Sequence, residues 1–202
     1  CEVTGSSRTD AGVHAKGFVA NFKTNSNVPP ERFREALNIK LPNDIVVIKS
    51  EKVEEDFHAR YCAKGKTYEY YILNDHVPSA LMRNQVYHYK YDLNIEEMKK
   101  GATQFIGTHD FAAFKTQGSS VKGSIRTIFD VKVEKIEKII KISVSGDGFL
   151  YNMVRIIVGT LINVGRGKIT ASSISDIIAK KDRRLAGDCV PPNGLLLKEV
   201  YY

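Results

Sequence analysis

The stretch "GSSRTDAGVHAKG", residues 5–17, sets Arg8, Asp10 and His14 among glycines and small polar residues. A turn calls for Gly, Ser or Asp, but it has no need of an arginine, a carboxylate and an imidazole together. Three roles fit Asp10. As a turn or N-cap residue its carboxylate accepts backbone N–H groups. As a metal ligand it would pair with His14, although a loop puts residues four apart on no common face and no further His/Asp/Cys cluster completes a shell. As a nucleophile or base it is already ionised at neutral pH, and a nearby cation such as Arg8 serves to orient it.

Two further runs carry candidate chemistry. In "HARYCAKGKTYEYYI", residues 58–72, Arg60, Lys64 and Lys66 interleave with Tyr61, Tyr68, Tyr70 and Tyr71. Cations hold phosphates and tyrosines offer faces on which bases stack, a pattern suited to RNA with splayed bases. The alternative is a solvated strand edge with Tyr68 and Tyr70 turned into the core by alternation. In "GDGFLYNMVRIIVG", Arg155 sits amid Met153, Val154, Ile156 and Ile157. A buried guanidinium there requires a carboxylate opposite it; otherwise Arg155 snorkels from the helix edge. "GTHDFAAFKT" and "AGDCVPPNGLLL" add Gly/polar loops beside apolar clusters, with His109 and Asp110 either paired or forming a helix-end turn.

The elements that must position these residues are legible by period. "GFVANFKT", "DIVVIKSEKV", "KTYEYYIL" and "NQVYHYKY" read as strands, and "CEVTG" as the end of one. "PPERFREALNIKL" starts a helix with proline in its first turn. "DLNIEEMKKGATQFIG" has apolar residues at helical spacing, Asp92 or Asn94 as cap and Gly107 beyond its end. Strands "SIRTIFDVKVEKI" and "KIIKISVSGD" flank a tight turn at Glu137–Lys138. A long apolar helix over 149–164, a short helix over about 170–181 and a final strand "GLLLKEVYY" complete the chain.

From residue 67 this order contains the β-α-β-β-α-β unit of ferredoxin-like folds. The first 55 residues offer the second half of such a unit, so its opening strand and helix are expected to be missing ahead of Cys1. The reading is α+β, with two ferredoxin-like halves around a mainly antiparallel central sheet and the first half truncated. Residues 1–55 form the remainder of the N-terminal half with the Asp10 loop, and 56–202 the C-terminal half.

Composition bounds the partners. The 202 residues are 43% hydrophobic and 26% charged, ordinary for a globular chain. The net charge of +7 favours a polyanionic partner such as nucleic acid. No apolar run reaches the length of a membrane span: "FLYNMVRIIVGTLINVG" is broken by Asn152, Arg155 and Asn163. Cys1, Cys62 and Cys189 form no CxxC and leave one unpaired, which points to a reducing cytoplasm.

Taken together, "SRTDAGVHAKG", "DFHARYCAKGKTYEYYI", "GTHDFAAF", "SIRTI", "GDGFLYNMVRIIVGTLINVG" and "AGDCVPPNGLLL" resemble the tRNA pseudouridine synthase A family, in the family's order and across nearly the whole chain. The resemblance implies the pseudouridine synthase fold and an isomerase that turns uridine into pseudouridine at positions 38 to 40 of the tRNA anticodon stem-loop, without metal or cofactor. It favours the catalytic reading of Asp10, as nucleophile on a flipped uridine. It matches Arg8 to the arginine that fills the vacated stack, Tyr68 to the tyrosine that stacks on the uracil and handles the C5 proton, Arg155 to the partner of the aspartate, and Leu195 to an apolar wall. Lys64, Lys66 and Lys115 are candidates for gripping the RNA backbone. A homodimer with clefts built from both subunits is implied as well. Ser7 stands where many members have Gly, an exchange of small for small expected to have little consequence. The family's leading "YDG…GxQ" type segment is absent. Two other readings stay open: an RNA-binding module that holds tRNA without modifying it, and a metal-dependent hydrolase using Asp10 and His14.

Overall fold

The alternating run at 65–73 becomes the central strand of a sheet, buried along most of its length in the computed structural model, which describes residues 1–116 and 123–202. Clustering of contacts divides the chain into two compact units: Cys1–Ser6 with Val19–Cys62, and Ser7–Phe18 with Ala63–Tyr202. The chain is α+β.

In the first unit, β1 (Val3–Gly5) pairs antiparallel with β3 (Ala20–Phe22). Between them the chain runs out as the Ser7–Phe18 loop. Ser6 and Val19 close its neck, with the Ser6 N–H donating to the Val19 carbonyl at 2.8 Å and the Val19 N–H donating to Ser6 Oγ at 3.2 Å. A 3-10 turn over Pro30–Arg32 leads into α1 (Phe33–Asn38), where Phe33 meets Phe22 edge to face. The strand expected over 44–53 does not form. Ile45, Val46 and Ile48 are exposed, and among the described residues no neighbouring strand offers them a ladder. The Asn38 amide takes the place of a partner, donating to the Val47 carbonyl at 2.9 Å and accepting from its N–H at 2.8 Å.

The second unit holds a seven-stranded sheet in the order β2-β9-β4-β8-β7-β6, with β5 also on β4. Its strands are β2 (His14–Ala15), β4 (Gly65–Leu73), β5 (Tyr87–His88), β6 (Gly107–Asp110), β7 (Ile125–Ile136), β8 (Ile139–Gly146) and β9 (Leu195–Tyr201). The long ladders β4·β8, β4·β9 and β7·β8 are antiparallel; only β2·β9 and β4·β5 are parallel. Glu137, in the left-handed region at φ 53°, turns β7 tightly into β8.

Only Tyr87–His88 of the run 84–91 is strand, because β9 pairs β4 up to Tyr70 and leaves just Ile72 and Leu73 for β5. Beyond that, Asn74 ties the chain down by donating to the Tyr89 and Tyr91 carbonyls. Sequence periodicity gave no sign of β6. Gly107, at φ 112°, reverses the chain directly after α2 (Ile95–Thr103) and lays 107–110 against β7. Alternation then turns His109 and Asp110 to opposite faces, so they do not pair: His109 Nε2 meets the Ile106 carbonyl, while Asp110 makes a helix-end turn, its Oδ1 accepting from the Ala112 N–H at 3.2 Å at the start of a 3-10 turn over Ala112–Phe114, and is held further by Ser124 and Lys181. The Asn94 side chain caps α2, accepting from the Glu97 N–H at 3.1 Å.

α3 (Met153–Gly165) is buried almost throughout, and α4 (Ser173–Lys180) presents Ile174, Ile177 and Ile178 inward. A stabilising contact on α3 seats the segment that follows α4. A Cβ on Gly159 would lie 1.9 Å from the Asp188 carbonyl oxygen, so residues 187–190 rest directly on helix backbone. Thr160 Oγ1 fixes them by accepting from the Gly187 N–H at 2.8 Å. Among the described residues no helix is long and apolar enough to cross a membrane.

Candidate active site

The Ser7–Phe18 loop has little apolar material, and backbone bonds to β9 hold it instead. β2 runs parallel to β9 at Leu196 and Leu197, and the Lys16 and Gly17 N–H groups both donate to the Leu197 carbonyl, at 2.9 and 3.3 Å. A Cβ on Gly17 would approach the Lys198 carbonyl oxygen to 2.3 Å, so only glycine permits that contact. Gly12 turns the loop at φ 85° against Pro192. The Asp10 carbonyl closes a turn by accepting from the Val13 N–H at 3.1 Å, and a ring nitrogen of His14 bonds the Asn84 carbonyl oxygen.

Asp10 thereby faces α3. Arg155 Nη1 lies 3.3 Å from Asp10 Oδ2, with the arginine side chain 15% exposed and the aspartate 37%. Two further acceptors fix the guanidinium: Nε donates to the Val190 carbonyl at 2.7 Å and Nη1 to Asn152 Oδ1 at 2.8 Å. Gly159 and Thr160 hold the 187–190 segment down, and so aim the Val190 carbonyl at Arg155. Asn152, at φ 62°, stands in the left-handed region just ahead of α3, and its amide donates to Thr116 Oγ1 at 3.1 Å.

Tyr68 completes the group. Its hydroxyl is 2.8 Å from Ser7 Oγ, three residues before Asp10, and its ring meets Phe149 edge to face at 5.2 Å. Burial, reinforced by the negative charge of Asp10, pushes the Tyr68 hydroxyl above the usual phenol range despite the Ser7 bond. It is a neutral phenol at pH 7. Tyr70 is fully buried, its hydroxyl donating to the Pro191 carbonyl at 2.7 Å, and Tyr71 donates to Glu69. Alternation thus turns Tyr68 and Tyr70 inward, while Tyr61 in the first unit keeps an open face.

The structure brings Asp10, Arg155 and Tyr68 together in one unit, with Leu195 close by, opposite Tyr70 on β9 and buried. Arg8 is exposed on the same loop. Lys66 alternates onto the face of β4 that carries Tyr68, and Lys64 is exposed just ahead of that strand. Lys115 lines a cleft with Thr116, Lys181 and Arg183, joined to the pair through the Thr116–Asn152 hydrogen bond. Ser7, Asn152, Thr116 and the Val190 carbonyl were not picked out as contributors from sequence. Ser7 makes a contact with the Tyr68 hydroxyl that glycine could not. A polar residue three before Arg155, within one helical turn, was the available signal for Asn152. Among the described residues no three His, Cys, Asp or Glu side chains converge to hold a metal ion.

A carboxylate paired with a largely buried guanidinium beside a neutral tyrosine, on a mainly antiparallel sheet, is an arrangement able to carry out acid–base or nucleophilic chemistry. The family model for tRNA pseudouridine synthase matches residues 1–62 and 102–202. The chain belongs to the tRNA pseudouridine synthase family, a family of isomerases. Among its relatives, a protein named tRNA pseudouridine synthase A 2 from Clostridium perfringens (strain 13 / Type A) is 59% identical over 201 residues, 100% of this chain and 82% of that protein. Proteins named tRNA pseudouridine synthase A from Acetivibrio thermocellus and from Thermoanaerobacter sp. (strain X514) are 56% and 55% identical, over 100% and 98% of this chain and 82% and 81% of their own lengths.

Proposed function

We propose that this chain isomerises uridine to pseudouridine in the tRNA anticodon stem-loop, at positions 38 to 40, with Asp10 as nucleophile on a base flipped out of its stack. The observation that carries this is the Asp10–Arg155 pair at 3.3 Å, set beside Tyr68. Isomerisation breaks the N1–C1′ bond and joins C5 to C1′; N1 gains a proton and C5 loses one. Asp10 holds the detached fragment covalently while the uracil turns. Arg155 orients the carboxylate. Tyr68 stacks on the uracil and takes the C5 proton. Because Tyr68 is neutral at pH 7, its own hydroxyl proton must leave as the new one arrives; Ser7 Oγ, within hydrogen-bond reach, relays it by releasing its own proton to solvent, and solvent returns one to N1.

Extruding the uridine costs a few kcal/mol, and the planar guanidinium of Arg8 fills the gap. Leu195 walls the base, and Lys64, Lys66 and Lys115 grip the backbone through charge. No cofactor enters the scheme. The enzyme works in the cytoplasm, a reading supported by three free thiols, as a homodimer, with 1–55 and 56–202 as its two ferredoxin-like halves. The test is incubation with an unmodified tRNA transcript followed by chemical mapping: pseudouridine at 38 to 40 is the expected result, and none, or pseudouridine only outside the anticodon stem-loop, overturns the reading.

A further inference from the structure

α4 ends on Lys181, whose φ of 55° lies in the left-handed region where a helix end favours glycine. Among the described residues only Glu137, Asn152 and Lys181 are non-glycine residues with positive φ. The β7–β8 turn accounts for Glu137. Asn152 and Lys181 flank a single cleft, whose lining includes Lys115, Thr116, Lys181 and Arg183. Lys181 lines it directly, while Asn152 grips its wall through Thr116 Oγ1. At a helix end where glycine is usual, a left-handed lysine keeps its cation on this cleft.

The cleft is also wired to the pair described above. Thr116 accepts from Asn152, Asn152 accepts from Arg155, and Arg155 donates to Asp10, three hydrogen bonds in succession. Lys181 Nζ is 2.8 Å from Asp110 Oδ2. One carboxylate against three cations leaves the cleft positive. Two ammonium point charges and a guanidinium fork in a concavity match a phosphodiester.

We propose that the cleft of Lys115, Lys181 and Arg183 is a phosphodiester-binding subsite that holds the RNA backbone beside the uridine presented to Asp10. It rests on the reading of Asp10 as the reacting group. The hydrogen-bonded run through Thr116 and Asn152 sets the distance between the held phosphate and the reacting carboxylate, so backbone capture and base presentation share one frame.

Lys181→Gly separates this role from a structural one, because glycine removes the cation and relaxes the left-handed backbone. The melting temperature should hold or rise, while the Kd for unmodified tRNA transcript rises about five- to tenfold. The log–log salt slope should fall by about 0.7 to 0.9. Arg183→Ala should do the same to binding, and Lys100→Ala, an equal loss of charge on α2, should change the Kd less than about twofold. A neutral methylphosphonate placed next to the target uridine should weaken binding to the wild-type chain and add nothing in Lys181→Gly. Wild-type affinity and salt slope in Lys181→Gly, or an equal loss in Lys100→Ala, would overturn the subsite. Isomerisation by the wild-type chain is scored separately, so an unchanged Lys181→Gly isotherm beside normal pseudouridine formation sinks the subsite alone.

Discussion

Asp10 and Arg155 sit on two segments held in opposite ways. The Ser7–Phe18 loop buries little side chain and is fixed by backbone hydrogen bonds to β9 and by close approaches that only glycine allows. α3 is buried almost throughout, and packing holds it. The loop can therefore present a carboxylate to an incoming ligand, whereas the helix supplies a guanidinium that cannot drift. Desolvating Arg155 costs several kcal/mol, offset by three acceptors: Asp10, Asn152 and the Val190 carbonyl. In the proposed reaction, rigidity is thus invested in the group that orients and access in the group that reacts.

If that division is right, damage on the helix side should be severe and should spread. Arg155→Ala leaves the Val190 carbonyl and Asn152 without their donor. Isomerisation should fall by about a thousandfold or more, and stability by about 1–2 kcal/mol, discounted because Asp10 is over a third exposed; single-turnover kinetics and denaturant melts check both. Gly159→Ala is the next test. Its Cβ would meet the Asp188 carbonyl oxygen at 1.9 Å, so the 187–190 segment must lift and carry the Val190 carbonyl off Arg155. A loss of about 3 kcal/mol with a rate reduction of about a hundredfold is expected, measured by melting and by the same assay. A Gly159→Ala protein of normal stability would show that this contact does not hold the segment.

Changes at the two hydroxyls beside the pair should be milder. Tyr68→Phe keeps the ring against Phe149 but removes the hydroxyl, so the rate should drop about ten- to a hundredfold with tRNA affinity unchanged. The raised pKa fixes the sign of the pH dependence: Tyr68 stays mainly a phenol through neutral and mildly alkaline pH, so a reaction that uses the neutral phenol should run at a level rate from about pH 7 to 9. A rate climbing tenfold per pH unit there would show that the scarce phenolate is the reacting form and would contradict proton hand-off through a neutral Tyr68. Ser7→Gly should have the smallest effect, less than about fivefold, since water can replace Oγ as proton acceptor.

The same contrast explains how much the sequence disclosed. Periodic segments were legible: α2, α3, α4, β7, β8 and β9 follow from apolar spacing, and Gly, Asn and Pro marked their ends. Where pairing rather than period decides, the reading failed. Residues 44–53 have a strand's composition but no ladder, and β6 is a strand only because Gly107 reverses the chain beside β7. At the site, charged types in unusual settings singled out Asp10 and Arg155. Neutral groups gave no such sign: Ser7, Thr116 and the Val190 carbonyl are ordinary residues whose role depends on contacts between distant parts of the chain.

The most direct test is Asp10→Asn, which keeps an acceptor for Arg155 and removes the nucleophilic charge. Measured with tRNA binding and single-turnover pseudouridine formation on one preparation, the account predicts a Kd within about twofold of wild type and a rate lower by at least about ten-thousandfold. Pseudouridine formed at even a tenth of the wild-type rate would contradict it.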